Sequence, residues 1–408
     1  MTTIVNKDRL WDSLMQLAKI GATSKGGVCR IALSEEDRRG RDLFCSWARD
    51  AGCDIRIDAI GNIFARRPGL DAGAAPVVTG SHIDSQPLGG KFDGAFGVMA
   101  GLEVIRALND AGIETRAPIE VVDWTDEEGA RFAAGCIGSG TFAGHRELDQ
   151  ALALRDADGI SVADALQSIG YAGSSPVGGS PIKAYFEAHI EQGPILEQAG
   201  LAVGAVVGAQ GQRCFIITVT GTDGHAGTLP MNKRQDAFVG TAKMTVALNE
   251  LAATYEPAAV ITVGYVRVQP NSRNTVPGKT VFTIDSRHPD LDILARMETD
   301  MMRICQDIAD ASGLKLEVEA ITRAEPVVFD PDCVDAIRNA CTDRQIRYID
   351  MHSGAGHDAC KLAAVCPVGM IFVPCEGGIS HNELESASAG DLATGTQVLL
   401  DAMLKAAG

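Results

Sequence analysis

The 408-residue sequence contains no run of about 18 consecutive apolar residues, which is the length that a membrane-spanning helix requires. Its first eight residues also lack a basic region followed by an apolar core, and this argues against a secretory signal. Both absences favour a cytoplasmic protein that does not contact membranes.

Disulfide chemistry is not indicated either. The eleven cysteines are odd in number and include no C-x-x-C pair, so we expect free thiols that act as small apolar residues in a reducing compartment. Cys136, Cys360 and Cys375 lie near the motifs described below. No cysteine and histidine have a recognisable spacing, however, and we do not expect a nucleophilic cysteine.

Positive charge is scarce, with 36 Lys and Arg residues against 53 Asp and Glu residues and a formal net charge of -17. This balance argues against nucleic acids and anionic membranes as partners. The glycine-rich segment at 135–140 is not a clean G-x-G-x-x-G between a strand and a helix, so it does not indicate dinucleotide binding. A small, anionic substrate would need a local positive site.

The most informative stretch is Gly-Ser-His-Ile-Asp-Ser-Gln-Pro-Leu-Gly-Gly-Lys-Phe-Asp-Gly at 80–94. His82 and Asp84 follow a short apolar run that predicts a strand, and this spacing suits a metal-bound imidazole whose second nitrogen is held by the aspartate. Asp93 stands where the glycine-rich loop ends and an amphipathic helix begins. It is therefore either a metal ligand or an ordinary helix N-cap.

Three further predicted strands lead into histidine or glutamate side chains. They are 119–124 before Glu127 and Glu128, 184–193 with His189 near its end, and 368–373 before His381. Because ligands of open α/β sheets bind outside the carboxyl ends of the strands, we expect these side chains to lie together.

These side chains suit a two-metal centre. If Asp93 bridges two ions, the set supplies three bonds to each ion, and a shared water completes the four-coordinate geometry of catalytic zinc. Glu127 is not needed as a ligand, so it is the expected general base that takes a proton from the water and returns it to a leaving nitrogen. The predicted ligands are His82, Asp93, Glu128, His189 and His381.

The middle of the chain has a different pattern. It predicts the order β-α-β-β-α-β of a ferredoxin-like domain, with strands at 215–220, 260–268, 279–285 and 315–320 and helices at 234–255 and 291–311. We expect residues 212–327 to form this domain, inserted into an α/β metal-binding catalytic domain of residues 1–211 and 328–408.

Taken together, the motifs resemble those of the hydantoinase/carbamoylase amidases, which are related to two-zinc aminoacylases and carboxypeptidase G. The resemblance runs through 80–94, 124–132, 187–197, 225–231, 271–278, 285–290, 353–359 and 377–385. It implies a zinc-peptidase-like fold and hydrolysis of an N-carbamoyl amino acid, β-ureidopropionate or allantoate to ammonia and carbon dioxide. The segment 86–94 is most similar to the β-ureidopropionase branch.

The resemblance also implies roles for single residues. It assigns the five predicted ligands to two divalent ions, with zinc expected and manganese, cobalt or nickel as alternatives, Asp84 to orienting His82, and Glu127 to the base. It further implies a lid and dimerisation role for the inserted domain, and a homodimer in which His225 often comes from the partner subunit. The implied substrate-binding residues are Gln192, His225 at the oxyanion, Asn274, and Arg287 at the substrate carboxylate.

Three alternatives remain open at this point. The first is an allantoate amidohydrolase, and the second is an aminoacylase or dipeptidase with the same metal centre. The third is an inactive binding protein, which the intact ligand set and Glu127 disfavour. Cys214, where a Trp is common in the β-ureidopropionase branch, and the unusual Thr222-Asp223-Gly224 leave the substrate undecided between these enzymes.

Overall fold

The computed structural model describes residues 4–408, which form two compact units. The first unit runs through Val207 and resumes at Val328–Gly408, and the second is Gly208–Val327. The helices are α1 (Lys7–Leu17), α2 (Glu35–Asp50), α3 (Ala95–Asp110), α4 (Ile137–Phe142), α5 (Leu148–Ala153), α6 (Val162–Ile169), α7 (Ile195–Ala199), α8 (Ala237–Ala253), α9 (Leu291–Ala311), α10 (Pro331–Asp343), α11 (Asp358–Leu362) and α12 (Ala389–Ala407).

The strands are β1 (Asp54–Ile57), β2 (Ile63–Arg67), β3 (Val77–Ser81), β4 (Ile119–Asp123), β5 (Ala184–Ile190), β6 (Val203–Ala209), β7 (Gly211–Thr220), β8 (Gly224–His225), β9 (Val260–Thr262), β10 (Val266–Gln269), β11 (Thr275–Val276), β12 (Lys279–His288), β13 (Lys315–Ala324), β14 (Val327–Val328), β15 (Tyr348–Ser353) and β16 (Val368–Val373). The second unit contains the three longest strands of residues 4–408, β7, β12 and β13, of ten residues each.

A mixed sheet forms the centre of the first unit, in the order β1-β2-β4-β3-β5-β16-β6-β14, with β15 also paired to β6. The strands β4, β3, β5 and β16 are parallel, and antiparallel strands flank them on both sides. The carboxyl ends of the four parallel strands therefore meet at one edge of the sheet, where the sequence places the candidate ligands.

Helices α3 and α12 pack on one face of this sheet, and α3 is buried along most of its length. At Gly97 of α3 a Cβ would lie 2.6 Å from the Ala188 carbonyl oxygen, so glycine permits the close approach of helix and strand. Alternate residues of β5 point to the opposite face, where Tyr185 and Glu187 are fully buried and hydrogen-bonded. The core is thus apolar on the α3 side and contains buried polar groups on the other.

Local signals explain the helix boundaries. Leu10, Leu14 and Leu17 form the buried side of α1, as their spacing predicts. The Ser34 hydroxyl accepts a hydrogen bond from the Asp37 N–H and caps α2. The Asp37 carboxylate in turn accepts a hydrogen bond from the Leu33 N–H.

The second unit has a sheet in the order β10-β12-β7-β13, with β9 also paired to β12. Helices α8 and α9 pack on it and bury residues such as Phe215, Met244 and Met301. Its elements follow the predicted β-α-β-β-α-β order. The predicted strand at 260–268 is divided into β9 and β10, and α8 begins at Ala237 because the Asp236 carboxylate caps it.

Two sequence-based interpretations differ from the structure. The alternative in which Asp93 caps α3 is wrong, because Gly94 occupies the N-cap position and no side chain caps this helix. The strands β6 and β15 were not predicted, and both extend the sheet beyond β16. Within residues 4–408, no helix combines the length and apolar character needed to cross a membrane.

Candidate metal centre and substrate site

Strand ends place the candidate ligands of the first unit. His82 follows β3 directly, Glu127 and Glu128 follow β4, and His189 lies near the end of β5. His381 lies in the loop between β16 and α12. The chain thus delivers residues that are up to 299 positions apart in sequence to neighbouring positions at one edge of the sheet.

Asp93 lies between two groups of potential ligand atoms. In the first group, its Oδ1 is 3.2 Å from His189 Nε2 and 3.8 Å from His82 Nε2. In the second, its Oδ2 is 3.4 Å from His381 Nε2, which is also 3.2 Å from Glu128 Oε2. The ligand atoms of each group lie within 4.8 Å of one another. Since each oxygen of Asp93 faces a different group, the two groups share this carboxylate.

The charges in both groups are coupled. Burial lowers the pKa of the His189 imidazole, but the adjacent Asp93 carboxylate outweighs it and raises this pKa to about 9. Hydrogen bonds with Asp93 and Glu128 raise the pKa of His381 to about 10. Burial opposes ionisation of Asp93, but hydrogen bonds from His189 and His381 hold its pKa well below the usual range. Asp93 is therefore an anion that attracts positive charge on both sides.

Glu127 lies beside these groups without belonging to either. Its Oε2 is 3.5 Å from His82 Nε2, and its Oε1 accepts a hydrogen bond from the Cys136 thiol at 3.6 Å. Burial, together with the negative charges of Asp358 and Glu128, raises the pKa of Glu127 well above its ordinary value. A carboxylate in this environment accepts a proton readily, as a general base must.

Burial also raises the pKa of the Cys136 thiol, which disfavours a thiolate there.

Asp84 binds two different parts of the site. Its backbone carbonyl oxygen is 3.0 Å from His82 Nδ1, whereas its carboxylate is 3.7 Å from the same atom. The carboxylate accepts hydrogen bonds from the N–H groups of Glu127 and Glu128, both at 3.3 Å. The backbone of Asp84 thus orients the imidazole, and its side chain holds the turn that carries the two glutamates.

Several residues around the site have unusual backbone conformations. Asp126, Gln192 and His381 have φ values of 52°, 58° and 52°, in the left-handed region that favours glycine. Such conformations are costly for other residues and persist where the surrounding structure requires them. They are evidence that the loops at this edge of the sheet are shaped for a function.

Further residues support the ligands. The Gln192 amide nitrogen donates to Asp93 Oδ2 at 2.9 Å, so this predicted substrate-binding residue contacts a candidate ligand. The Gln86 amide nitrogen donates to Glu128 Oε2 at 2.9 Å, and the Glu385 carboxylate accepts from the Asp93 N–H at 3.1 Å. The sequence alone indicated no role for Gln86 or Glu385. The one sequence feature that could have identified these two residues is their position within the motifs at 80–94 and 377–385.

A third group consists of Glu187, His189 and His357, all of them buried. Its Glu187 oxygens already accept hydrogen bonds from Ser81 Oγ at 2.7 Å and from the Ala359 N–H at 2.9 Å. Burial lowers the pKa of His357 well below its ordinary value, so this imidazole is neutral. The group shares His189 with the first group, and the hydrogen bonds to Glu187 make it a less favourable metal site than the first group.

The second unit holds His225, which is exposed at the end of β8. Its Nδ1 accepts hydrogen bonds from the N–H groups of Gly227 at 3.1 Å and Thr228 at 3.2 Å. Nδ1 is therefore unprotonated in the neutral ring, and Nε2 carries the proton. Asn274 is adjacent, because its carbonyl oxygen accepts from the Ala226 N–H at 2.9 Å. His225 can thus donate a hydrogen bond through Nε2.

Arg287 lies on β12 of the second unit, opposite Gln212 of β7. Its guanidinium group forms two parallel hydrogen bonds with the Asp285 carboxylate, each of 3.0 Å. Gln212 also donates to Asp285 at 2.6 Å. Asp285 therefore fixes the direction of the guanidinium group, which remains one third exposed.

The clustered histidine and carboxylate side chains fit a divalent metal centre, and the family to which the chain belongs is hydrolytic. The chain belongs to peptidase family M20/M25/M40, whose model matches residues 78–405.

Individual relatives agree with this. An N-carbamoyl-L-amino-acid amidohydrolase of Rhizobium meliloti is 46% identical over 407 residues, which are 99% of this chain and 97% of that protein. An allantoate amidohydrolase of Escherichia coli is 35% identical over 95% of each chain. A hydantoinase/carbamoylase family amidase from Burkholderia multivorans has a TM-score of 0.97 and 52% identity, covering 100% of this chain and 99% of its own. These matches confirm the resemblance to the hydantoinase/carbamoylase amidases that the motifs indicated.

Proposed function

We propose that the protein hydrolyses N-carbamoyl-L-amino acids to the amino acid, carbon dioxide and ammonia. The observation that carries this proposal is the position of Asp93 between two ligand groups, with Glu127 beside His82. The name of the Rhizobium meliloti relative supports N-carbamoyl-L-amino acids as the substrate class. N-carbamoyl-β-alanine, which the resemblance also implies, is the nearest alternative ureido acid.

The cofactor of the proposal is a pair of divalent metal ions. His82, Asp93 and His189 would hold one ion, and Asp93, Glu128 and His381 the other. The mixed imidazole and carboxylate donors suit zinc, and manganese, cobalt or nickel are alternatives. When bound, such ions acidify a water molecule and polarise the carbonyl group of the substrate.

Glu127 moves the proton in the proposed reaction. Its carboxylate takes a proton from the attacking water, whose oxygen bonds to the carbamoyl carbon. It then gives this proton to the terminal nitrogen as the C–N bond breaks and ammonia leaves. The remaining carbamate of the amino acid loses carbon dioxide, so the atoms of water and substrate are all accounted for.

The second unit is proposed to act as a lid that binds the substrate. Asp285 holds Arg287 through Nε and Nη2, and Arg287 would bind the substrate carboxylate through the other edge of its guanidinium group. The Nε2–H of His225 would donate to the developing oxyanion. Asn274 and Gln192 would contact the polar part of the substrate.

We also propose that the second unit forms a homodimer through the outer side of α8. Phe238, Ala242 and Val246 follow one another at a spacing of four residues and are all exposed, which gives α8 an apolar stripe facing away from its sheet. In the same unit, the edge strand β10 also exposes Val266. The double change Phe238→Glu and Val246→Glu should give monomers by light scattering, and an unchanged mass would contradict this surface.

Two other enzymes are alternatives. The Escherichia coli relative makes allantoate a candidate substrate, and the family name makes a peptide bond another. The experiment is a measurement of ammonia and amine release from N-carbamoyl-L-methionine, its D enantiomer, N-carbamoyl-β-alanine, allantoate and a dipeptide. We expect hydrolysis of the L-carbamoyl compound. Hydrolysis of the dipeptide alone would contradict the proposal.

A further inference from the structure

Glu385 is a buried carboxylate next to the candidate metal centre, and only 3% of its surface is exposed. Its Oε1 accepts hydrogen bonds from the Phe92 N–H at 2.9 Å and from the Asp93 N–H at 3.1 Å. One oxygen atom therefore binds two consecutive N–H groups in the turn that carries Asp93. Without this acceptor, both buried donors would lack a partner.

Glu385 also reaches the side chain of Asp93 through Ser380. The Ser380 hydroxyl oxygen lies 3.3 Å from Glu385 Oε2 and 3.0 Å from Asp93 Oδ2. Gln192 donates to the same Asp93 oxygen and to the Ser380 hydroxyl. Glu385 thus contacts the backbone of Asp93 directly and its carboxylate through one hydroxyl group.

The glycine-rich loop leaves room for this arrangement. A Cβ added at Gly90 would lie 2.0 Å from the carboxyl carbon of Glu385, which is too close for any side chain. The loop sequence 89–94 and the segment 377–385 therefore fit each other, with Gly90 providing the space and Glu385 filling it.

We propose that Glu385 is a positioning residue that holds Asp93 so that its two oxygens face the two different ligand groups. It would contact no metal itself, and it would act through the turn at 92–93 and through Ser380. The inference rests on the proposed metal centre and assigns that centre a support more than 290 residues away in sequence.

The test is a titration of full-length, chelator-treated protein with Zn²⁺ by isothermal calorimetry. Glu385→Ala removes the acceptor, whereas in Glu385→Gln one amide oxygen can still accept both N–H groups and the NH₂ group can donate to Ser380. The control is Asp330→Ala. Asp330 also accepts two backbone hydrogen bonds, from the Asp332 and Cys333 N–H groups, but it does so at the start of α10.

We expect Glu385→Ala to lower Zn²⁺ affinity about 10-fold to 100-fold, as loss of residues that orient metal ligands generally does. Glu385→Gln should stay within about threefold of the wild type, because its hydrogen bonds remain. Asp330→Ala should bind Zn²⁺ like the wild type. Equal affinity of Glu385→Ala and the wild type would overturn the proposal, and so would a loss in Glu385→Gln as large as that in Glu385→Ala.

If Glu385→Ala does not fold, Ser380→Ala replaces it. This change removes the hydroxyl between the two carboxylates, and a threefold or larger loss of Zn²⁺ affinity is expected, whereas no loss would contradict the role. The titration needs no substrate, so its outcome is independent of whether the carbamoyl substrate is right. A wild-type protein that binds no Zn²⁺ would refute the metal centre itself.

Discussion

At the scale of single residues, Glu127 combines burial, a raised pKa and a position 3.5 Å from His82. Glutamine keeps the size of this side chain but cannot take up a proton. We expect Glu127→Gln to lower kcat by about 10²-fold to 10⁴-fold, the usual contribution of a general base. Zn²⁺ affinity should be nearly unchanged, because Glu127 is not a proposed ligand. Steady-state kinetics and calorimetry measure the two effects separately.

The matched control for this change is Glu114→Gln at an exposed position. It should leave both kcat and Zn²⁺ binding unaltered. If Glu127→Gln hydrolysed the substrate at the wild-type rate, the proton would have to be carried by another residue.

His225 illustrates how a hydrogen-bond pattern determines what a residue can donate. Because two N–H groups bind its Nδ1, its proton lies on Nε2. We expect His225→Ala to lower kcat by about 10²-fold to 10³-fold, the usual effect of losing an oxyanion donor. His225→Gln, whose amide nitrogen can donate from a similar distance, should recover part of the rate. A change in KM with an unaltered kcat would show that His225 contributes only to substrate binding.

At the scale of elements, the turn after β4 depends on Asp84. Its carboxylate binds the N–H groups of Glu127 and Glu128, while its backbone carbonyl binds His82. We expect Asp84→Ala to lower kcat and Zn²⁺ affinity together, each by about 10-fold to 100-fold, because a proposed base and a proposed ligand share this turn. Loss of kcat alone, at full Zn²⁺ affinity, would mean that Asp84 does not position Glu128.

Much of this element structure could be predicted from local patterns. A short apolar run followed by histidine or glutamate occurs at the ends of β3, β4 and β5, and the parallel pairing of these strands brings their ends to one edge. The alternation and periodicity at 212–327 likewise predicted the sheet and both helices of the second unit. The unpredicted strands β6 and β15 extend the sheet laterally beyond β16.

The remaining parts of the site depend on contacts that no local pattern contains. Glu385 binds the turn at Asp93 across 292 positions of sequence, and Gln86 binds Glu128 across 42. The role of the Asp84 carboxylate was also not predictable, because a His-x-Asp spacing does not show whether the backbone or the side chain reaches the imidazole. These long-range contacts can be identified only from the three-dimensional structure.

At the scale of the whole molecule, metal binding should depend on pH. The metal-free pKa values of His189 and His381, about 9 and about 10, mean that both imidazoles hold protons at neutral pH. A metal ion must displace these protons, so affinity should increase as the pH rises. Each of the two proposed ions would displace one of these protons, so we expect log K for each Zn²⁺ to rise by up to about one per pH unit from pH 6.5 to 8.5. A pH-independent affinity would contradict these protonation states.

The same pKa values predict that the stability of the metal-free protein decreases as the pH rises, whereas its affinity for Zn²⁺ increases. The raised pKa of each imidazole stabilises the fold fully below the unfolded value of about 6.5, and this stabilisation is lost as the pH rises towards 9 and 10. The increase in Tm on adding Zn²⁺ should therefore be larger at pH 8.5 than at pH 6.5. Thermal unfolding with and without Zn²⁺ measures this, and an equal increase at both pH values would contradict it.

The most direct measurement is ammonia release from N-carbamoyl-L-methionine by chelator-treated protein, before and after addition of Zn²⁺ or Mn²⁺. The proposed function predicts no release without metal and a recovery of release when metal is restored. Release that continues at the full rate in the presence of chelator would show that the groups around Asp93 do not hold a catalytic metal. No release with any added metal would show that the carbamoyl compound is not the substrate.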